Sequence, residues 1–125
     1  MNQIVINEIK RYGYRIRYKN FNGIAGGTIN FVSKIINVAN HLQKQPTELT
    51  FILLHELRHI EHIKQGLYTP YYNLVNPEKL TVDIAYKAEI DCNAYAYARS
   101  ISLGFKPNPS WLSYSLPTKN HPVTS

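Results

Sequence analysis

The sequence predicts an α+β domain in which a small sheet of about three strands packs with two long helices. Apolar residues recur at helical spacing through Leu49, Leu53, Leu57 and Ile60, and a second helical stretch lies between Asn76-Pro77 and Gly104. Ahead of both, the segment from Tyr14 to Ala39 alternates and is broken by glycines, as short strands are. With 125 residues and 44% apolar composition, the chain has room for one modest core.

Residues Gln3 to Tyr12 form a short amphipathic helix with Ile4, Ile9 and Tyr12 inward, and Gly13 stops it. A first strand runs from Tyr14 to Tyr18. After the turn-rich Asn20 to Gly23 come two extended segments, Ile24 to Phe31, with Gly26-Gly27 as a bulge or bend, and Lys34 to Ala39. Pro46-Thr47 opens the first long helix with Thr47 as its cap and Glu48 near the positive end of the dipole, and Gly66 closes it. Tyr68 to Tyr72 is an aromatic loop around Pro70. Asn76-Pro77-Glu78 starts the second long helix, with asparagine as cap and proline at the first position. Residues 1–105 are expected to form the single domain, and the proline-rich stretch 106–125 an irregular tail lying over it.

Composition narrows the setting. The amino-terminal Met1 to Lys10 lacks the apolar run of a secretory signal, and no segment approaches a membrane span of about 20 apolar residues, so a cytoplasmic protein without membrane contact is expected. One cysteine, Cys92, excludes an internal disulfide and reads as a small packing residue. The net charge of +6 is concentrated early, in Lys10, Arg11, Arg15, Arg17 and Lys19 against Glu8. Interleaved with Tyr12, Tyr14 and Tyr18, these residues suit either a half-solvated strand or a surface that stacks bases and grips phosphates.

The chemistry lies in the first long helix. His55-Glu56-Leu57-Arg58-His59 is an HExxH unit, which places two histidines one turn apart on one face with a glutamate beside them. Two neutral imidazoles and one further carboxylate suit a single zinc ion with a fourth position open to water, and Glu56 can take that water's proton. The histidine stripe of His55, His59 and His62 stands nearly opposite the apolar stripe, so the helix reads as packed on one side and catalytic on the other. The third ligand is expected from the second helix, where Glu89 shares a face with Val82, Ala85, Asn93, Ala96 and Ser100, mostly small residues that permit close approach. Asn93, one turn on, is placed to orient a ligating histidine, whereas Asp91 points to the opposite face. A donor for the developing oxyanion is sought among His62, Tyr71 and Tyr72.

The run Glu89-Ile90-Asp91-Cys92-Asn93-Ala94-Tyr95-Ala96, following Leu49-Thr50-Phe51-Ile52-Leu53-Leu54-His55-Glu56-Leu57-Arg58-His59, resembles the paired signature of the ImmA/IrrE metallopeptidases. With the extended segments Gly26-Gly27-Thr28 to Ile36-Asn37-Val38, the resemblance covers about residues 20 to 103. The chain departs from the family pattern at Arg58, Asp91 and Cys92, where a small residue, a glutamate and an alanine are usual. The resemblance implies a minimal gluzincin-like (zincin) fold, with His55, His59 and Glu89 holding zinc and Glu56 as catalytic base. It also implies a protein substrate, a DNA-binding repressor of phage, mobile-element or stress regulation. The alternative is a catalytically weak or inactive zinc-binding regulatory protein that contacts nucleic acid through its basic amino-terminal region.

Overall fold

Val5, Ile9 and Tyr12 recur at the spacing of one helical stripe, and this stripe fixes how the first helix lies. In the computed structural model, which describes residues 2–20, 26–72 and 81–113, helix α1 spans Gln3–Arg11 with Val5 and Ile9 fully buried. Tyr12 packs against the same core. Ile4, expected inward, is 53% exposed. It stands one residue off the stripe, a rotation of about 100° toward solvent. Gly13 ends the helix in the left-handed region, at φ 86°.

Strands β1 (Arg15–Lys19), β2 (Gly27–Asn30) and β3 (Ile35–Ala39) follow. β3 is central, parallel to β1 and antiparallel to β2. Register aligns Ile16 and Ile29 with Ile36, which is fully buried. Arg15, Arg17 and Lys19 are exposed on the alternate positions of β1, the half-solvated edge that the alternation predicts. The earlier start expected for β2, at Ile24, lies outside the described residues. Gly27 is a close-approach glycine rather than a bulge, since a β carbon there would meet Ile52 Cγ2 at 2.7 Å.

Helix α2 spans Pro46–Gln65. Its cap is Gln45, with no side-chain bond, and Thr47 lies inside the first turn. Proline's fixed φ suits the first helical position, so the cap moves to the residue before it. Gly66, at φ 69°, closes the helix with Leu67 N donating to His62 O at 2.8 Å. A four-residue helix α3, Thr69–Tyr72, then precedes α4, Val82–Ser102. The start expected at Asn76-Pro77-Glu78 lies outside the described residues. Thr81 caps the described helix, accepting from Ile84 N at 3.1 Å.

α2 divides the molecule. Leu49, Leu53, Leu57 and Ile60 are buried in a core shared with Val5, Ile9 and Ile36. Its polar side faces α4, whose buried Ala85, Ala88, Ala96 and Ser100 leave room for close contact. Val82, in the first turn of α4, is exposed. In the tail, Trp111 belongs to a short 3₁₀ turn, Pro109–Leu112, and its ring lies 5.3 Å from that of Phe51. Residues 114–125 lie outside the described residues. Among those described, no helix is long and apolar enough to cross a membrane.

The corrected register of α1 can be checked by urea denaturation. Ile9→Ala is expected to cost about 2–5 kcal/mol, and Ile4→Ala to stay within about 0.5 kcal/mol. Equal losses would place Ile4 in the core.

Candidate metal centre

One turn of α2 separates His55 from His59 and brings their Nε2 atoms to 3.2 Å. From α4, Glu89 reaches between them, with Oε1 3.0 Å from His55 Nε2 and Oε2 3.1 Å from His59 Nε2. Donors held about 2.0–2.1 Å from one tetrahedral ion stand about 3.3 Å apart, so this spacing fits a single small cation. Cys92 is also close. The ligand atoms of His55, His59 and Cys92 lie within 4.8 Å of one another, a group that could hold a metal ion.

Charge separates the two candidates for third donor. Burial, and then the negative field of Glu89, Glu56 and Asp91, pushes the Cys92 thiol well up, so it stays protonated. Burial would also raise the Glu89 carboxyl, but the hydrogen bonds of His55 and His59 outweigh it and hold it at about 2. With no ion bound, Glu89 is therefore the charged neighbour of the two histidines and Cys92 a neutral one.

The two histidines are shifted in opposite directions. Burial drives His59 down to about 4, against the pull of Glu89. His55 is less enclosed, with 13% of its side chain exposed. Burial works against charging it, but the hydrogen bond to Glu89, the fields of Glu56 and Glu89, and the Asn93 amide oxygen together raise it above 6.5.

Neighbouring side chains orient each donor. His55 Nδ1 lies 2.7 Å from Asn93 Oδ1, the placement expected of Asn93. The Tyr71 hydroxyl donates to Glu89 Oε2. Glu56, 1% exposed, lies against β2, where a β carbon on Gly27 would come 3.4 Å from its Oε2. α3 supplies both tyrosines, following a turn in which Tyr68 takes a φ of 52° and Thr69 Oγ1 donates to Gly66 O at 3.1 Å.

His62 and Tyr72, sought as oxyanion donors, are committed elsewhere. The Tyr72 oxygen lies 2.6 Å from His59 Nδ1 and 2.7 Å from His62 Nδ1, on the side of His59 away from Glu89. His62 is fully buried, and its Nε2 lies 2.5 Å from Asp91 Oδ2, so both its nitrogens are engaged away from the other donors. Asp91 does not share Glu89's partners, as expected, yet it does not face away from α2. It sits on the rim of the helix pair, where Arg58 Nε donates to it at 2.8 Å. The signal for this contact was present in the sequence: Arg58 and His62, one turn apart, make a basic pair for an acid on the facing helix.

Comparison of the chain with protein-family models, curated proteins and solved structures gives no match.

Because Glu89 and Glu56 favour the protonated form of His55, a divalent cation and this proton compete, and Asn93 and His59 face the same ring. Calorimetric titration in buffers of different ionisation enthalpy is expected to show proton release that grows toward about one per ion as the pH falls. Affinity should fall about tenfold per pH unit once the pH drops below the raised His55 value. Binding that is independent of pH between 8 and 5, on the order of the window in which histidines titrate, would place the ion elsewhere.

Proposed function

We propose that the chain is a zinc-dependent metallo-endopeptidase that hydrolyses a peptide bond in a protein substrate. The observation that carries this reading is the triangle of His55 Nε2, His59 Nε2 and the Glu89 carboxylate, with sides of 3.0 to 3.2 Å. Two imidazoles and a carboxylate are a donor set that suits zinc and leaves one position open. When bound, zinc would polarise the scissile carbonyl and acidify water.

The chain's own residues do the rest. His55, His59 and Glu89 hold the ion. Asn93 accepts from His55 Nδ1 and so keeps Nε2 turned toward the site. Tyr71 donates to Glu89 and steadies the carboxylate. Glu56, the next residue after His55, takes a proton from the attacking water and hands it to the leaving amine. Gly27, with no side chain, leaves space for the Glu56 carboxylate under β2. The resemblance to ImmA/IrrE proteins directs the search for substrate to a DNA-binding repressor encoded nearby.

Burial favours a second reading, a closed metal site in a regulatory protein. His59, Glu56 and Glu89 are each 1% exposed, and structural zinc sites are closed. Glu56→Gln separates the two. In a peptidase it keeps one zinc per chain and loses cleavage of the co-encoded regulator by about 10²–10⁴-fold, while Glu89→Ala loses zinc and cleavage together. Zinc binding with equal cleavage by wild type and Glu56→Gln, or with cleavage by neither, would leave the regulatory reading.

A further inference from the structure

We propose that the outer face of the sheet is a docking surface for the phosphate backbone of a nucleic-acid duplex, gripped through Arg15, Arg17, Lys19 and Lys34. This face is separate from the metal centre. Ile36 and Val38 belong to the core, Ile16 and Ile29 pack against it, and a β carbon on Gly27, the partner of Val38, would meet Ile52 of α2. The alternate positions of the strands therefore turn away from α2.

Charge sets this face apart. From Ile9 to Thr47 the chain holds seven Lys and Arg residues and no acidic one, and this stretch contains all three strands. Elsewhere cations meet carboxylates: Arg58 pairs with Glu61 and Asp91, Arg99 with Glu8, and Lys87 with Asp83. Arg15, Arg17, Lys19 and Lys34 are exposed, and none has an ion-pair partner among the described residues. The first three stand on alternate residues of β1, about 6.6 Å apart, a step close to that between successive phosphates of one strand. Lys34 joins the row at its start, where its carbonyl accepts from Arg15 N at 2.9 Å. Register sets Asn37 beside Arg17 and Thr28 beyond it, adding an amide and a hydroxyl that can also donate to phosphate oxygens.

Two other occupants fit less well. A single strand is held by stacking as well as by charge. Tyr14 is buried and Tyr12 packs against the core, so of the three tyrosines interleaved with the basic residues only Tyr18 is exposed, and alternation turns it from the arginine row. The row therefore meets phosphates and not bases, the mode that is indifferent to sequence. An acidic polypeptide would extend the sheet at β1, but a five-residue edge strand with cations at alternate positions is of the kind that resists such pairing. The planar forks of Arg15 and Arg17 match phosphate oxygens in pairs.

Fluorescence anisotropy of a short labelled DNA duplex, titrated with the full chain at rising sodium chloride, tests this. Four phosphate contacts predict a slope of log K against log salt of about −3.6, a loss of about 150-fold in affinity between about 50 and 200 mM. Two duplexes of unrelated sequence should bind alike, and a single strand of the same length less tightly. Arg15→Gln combined with Arg17→Gln should reduce the magnitude of the slope by about 1.8, and Arg15→Lys combined with Arg17→Lys, which keeps the charge, should restore it. Lys64→Gln combined with Lys106→Gln removes the same charge from exposed positions elsewhere and should leave the slope unchanged. All these positions are exposed, and circular dichroism confirms that each variant is folded. The proposal is overturned by absence of binding at the lowest salt, by equal losses in the two glutamine double variants, or by a preference for the single strand. Tighter binding to polyglutamate or to anionic phospholipid vesicles than to the duplex overturns it as well.

Discussion

An ionised carboxylate in a protein interior is costly unless its charge and lone pairs are met, and Glu89, 1% exposed, sets this demand on the contact between α2 and α4. His55, His59 and Tyr71 meet it. The arrangement requires the two helices to lie close, which Ala85, Ala88, Ala96 and Ser100 permit because none of them fills the space that the longer Glu89 and Asn93 cross. It also requires α2 to be anchored from its other side, where Leu53, Leu57 and Ile60 enter the core with the sheet and α1. The hydrophobic half of α2 thus supplies the rigidity with which its polar half is aimed, and a cavity in one would loosen the donors in the other.

The polar layer between α2 and α4 is a network in which each member uses the hydrogen-bonding capacity of the next. Asn93 engages His55, Tyr71 engages Glu89, and Tyr72 joins His59 to His62. Arg58 and Asp91 close the outer end. Fully satisfied networks of this kind specify a single arrangement, because each bond broken strands a buried partner. Cys92 sits inside the layer, 4.0 Å from His62 Nδ1. Its neutral thiol contributes little polarity of its own, which suits a position ringed by Glu89, Glu56 and Asp91.

Much of this was legible in the sequence. The HExxH spacing alone puts His55 and His59 on one face, and helical counting from Glu89 picks out Asn93 and the small residues around it, because both depend only on the period of a straight helix. The strands were legible for the same reason, since alternation from Arg15 to Lys19 and from Ile35 to Ala39 is a property of the local chain. What escaped was set by three-dimensional placement. Val5 and Ile4 are both apolar neighbours, and only the partner surface decides between them. Asp91 lies about 200° around α4 from Glu89, yet long side chains from Arg58 and His62 reach round to it. Tyr71 and Tyr72 were visible as aromatic residues near the motif, but their targets depend on a short helix whose direction the Pro70 stretch did not reveal.

That short helix carries a consequence for how the sequence can drift. α3 delivers Tyr71 to Glu89 on one helix and Tyr72 to His59 and His62 on the other, and adjacent helical residues diverge by about 100°. The turn from Gly66 to Thr69, with its positive φ at Gly66 and Tyr68, therefore acts as a ruler. Surface loops usually tolerate insertions, but a single residue gained or lost here would rotate both tyrosines off their targets together. Length variation among descendants of this chain should be scarce between positions 66 and 69, even though several of those side chains face solvent.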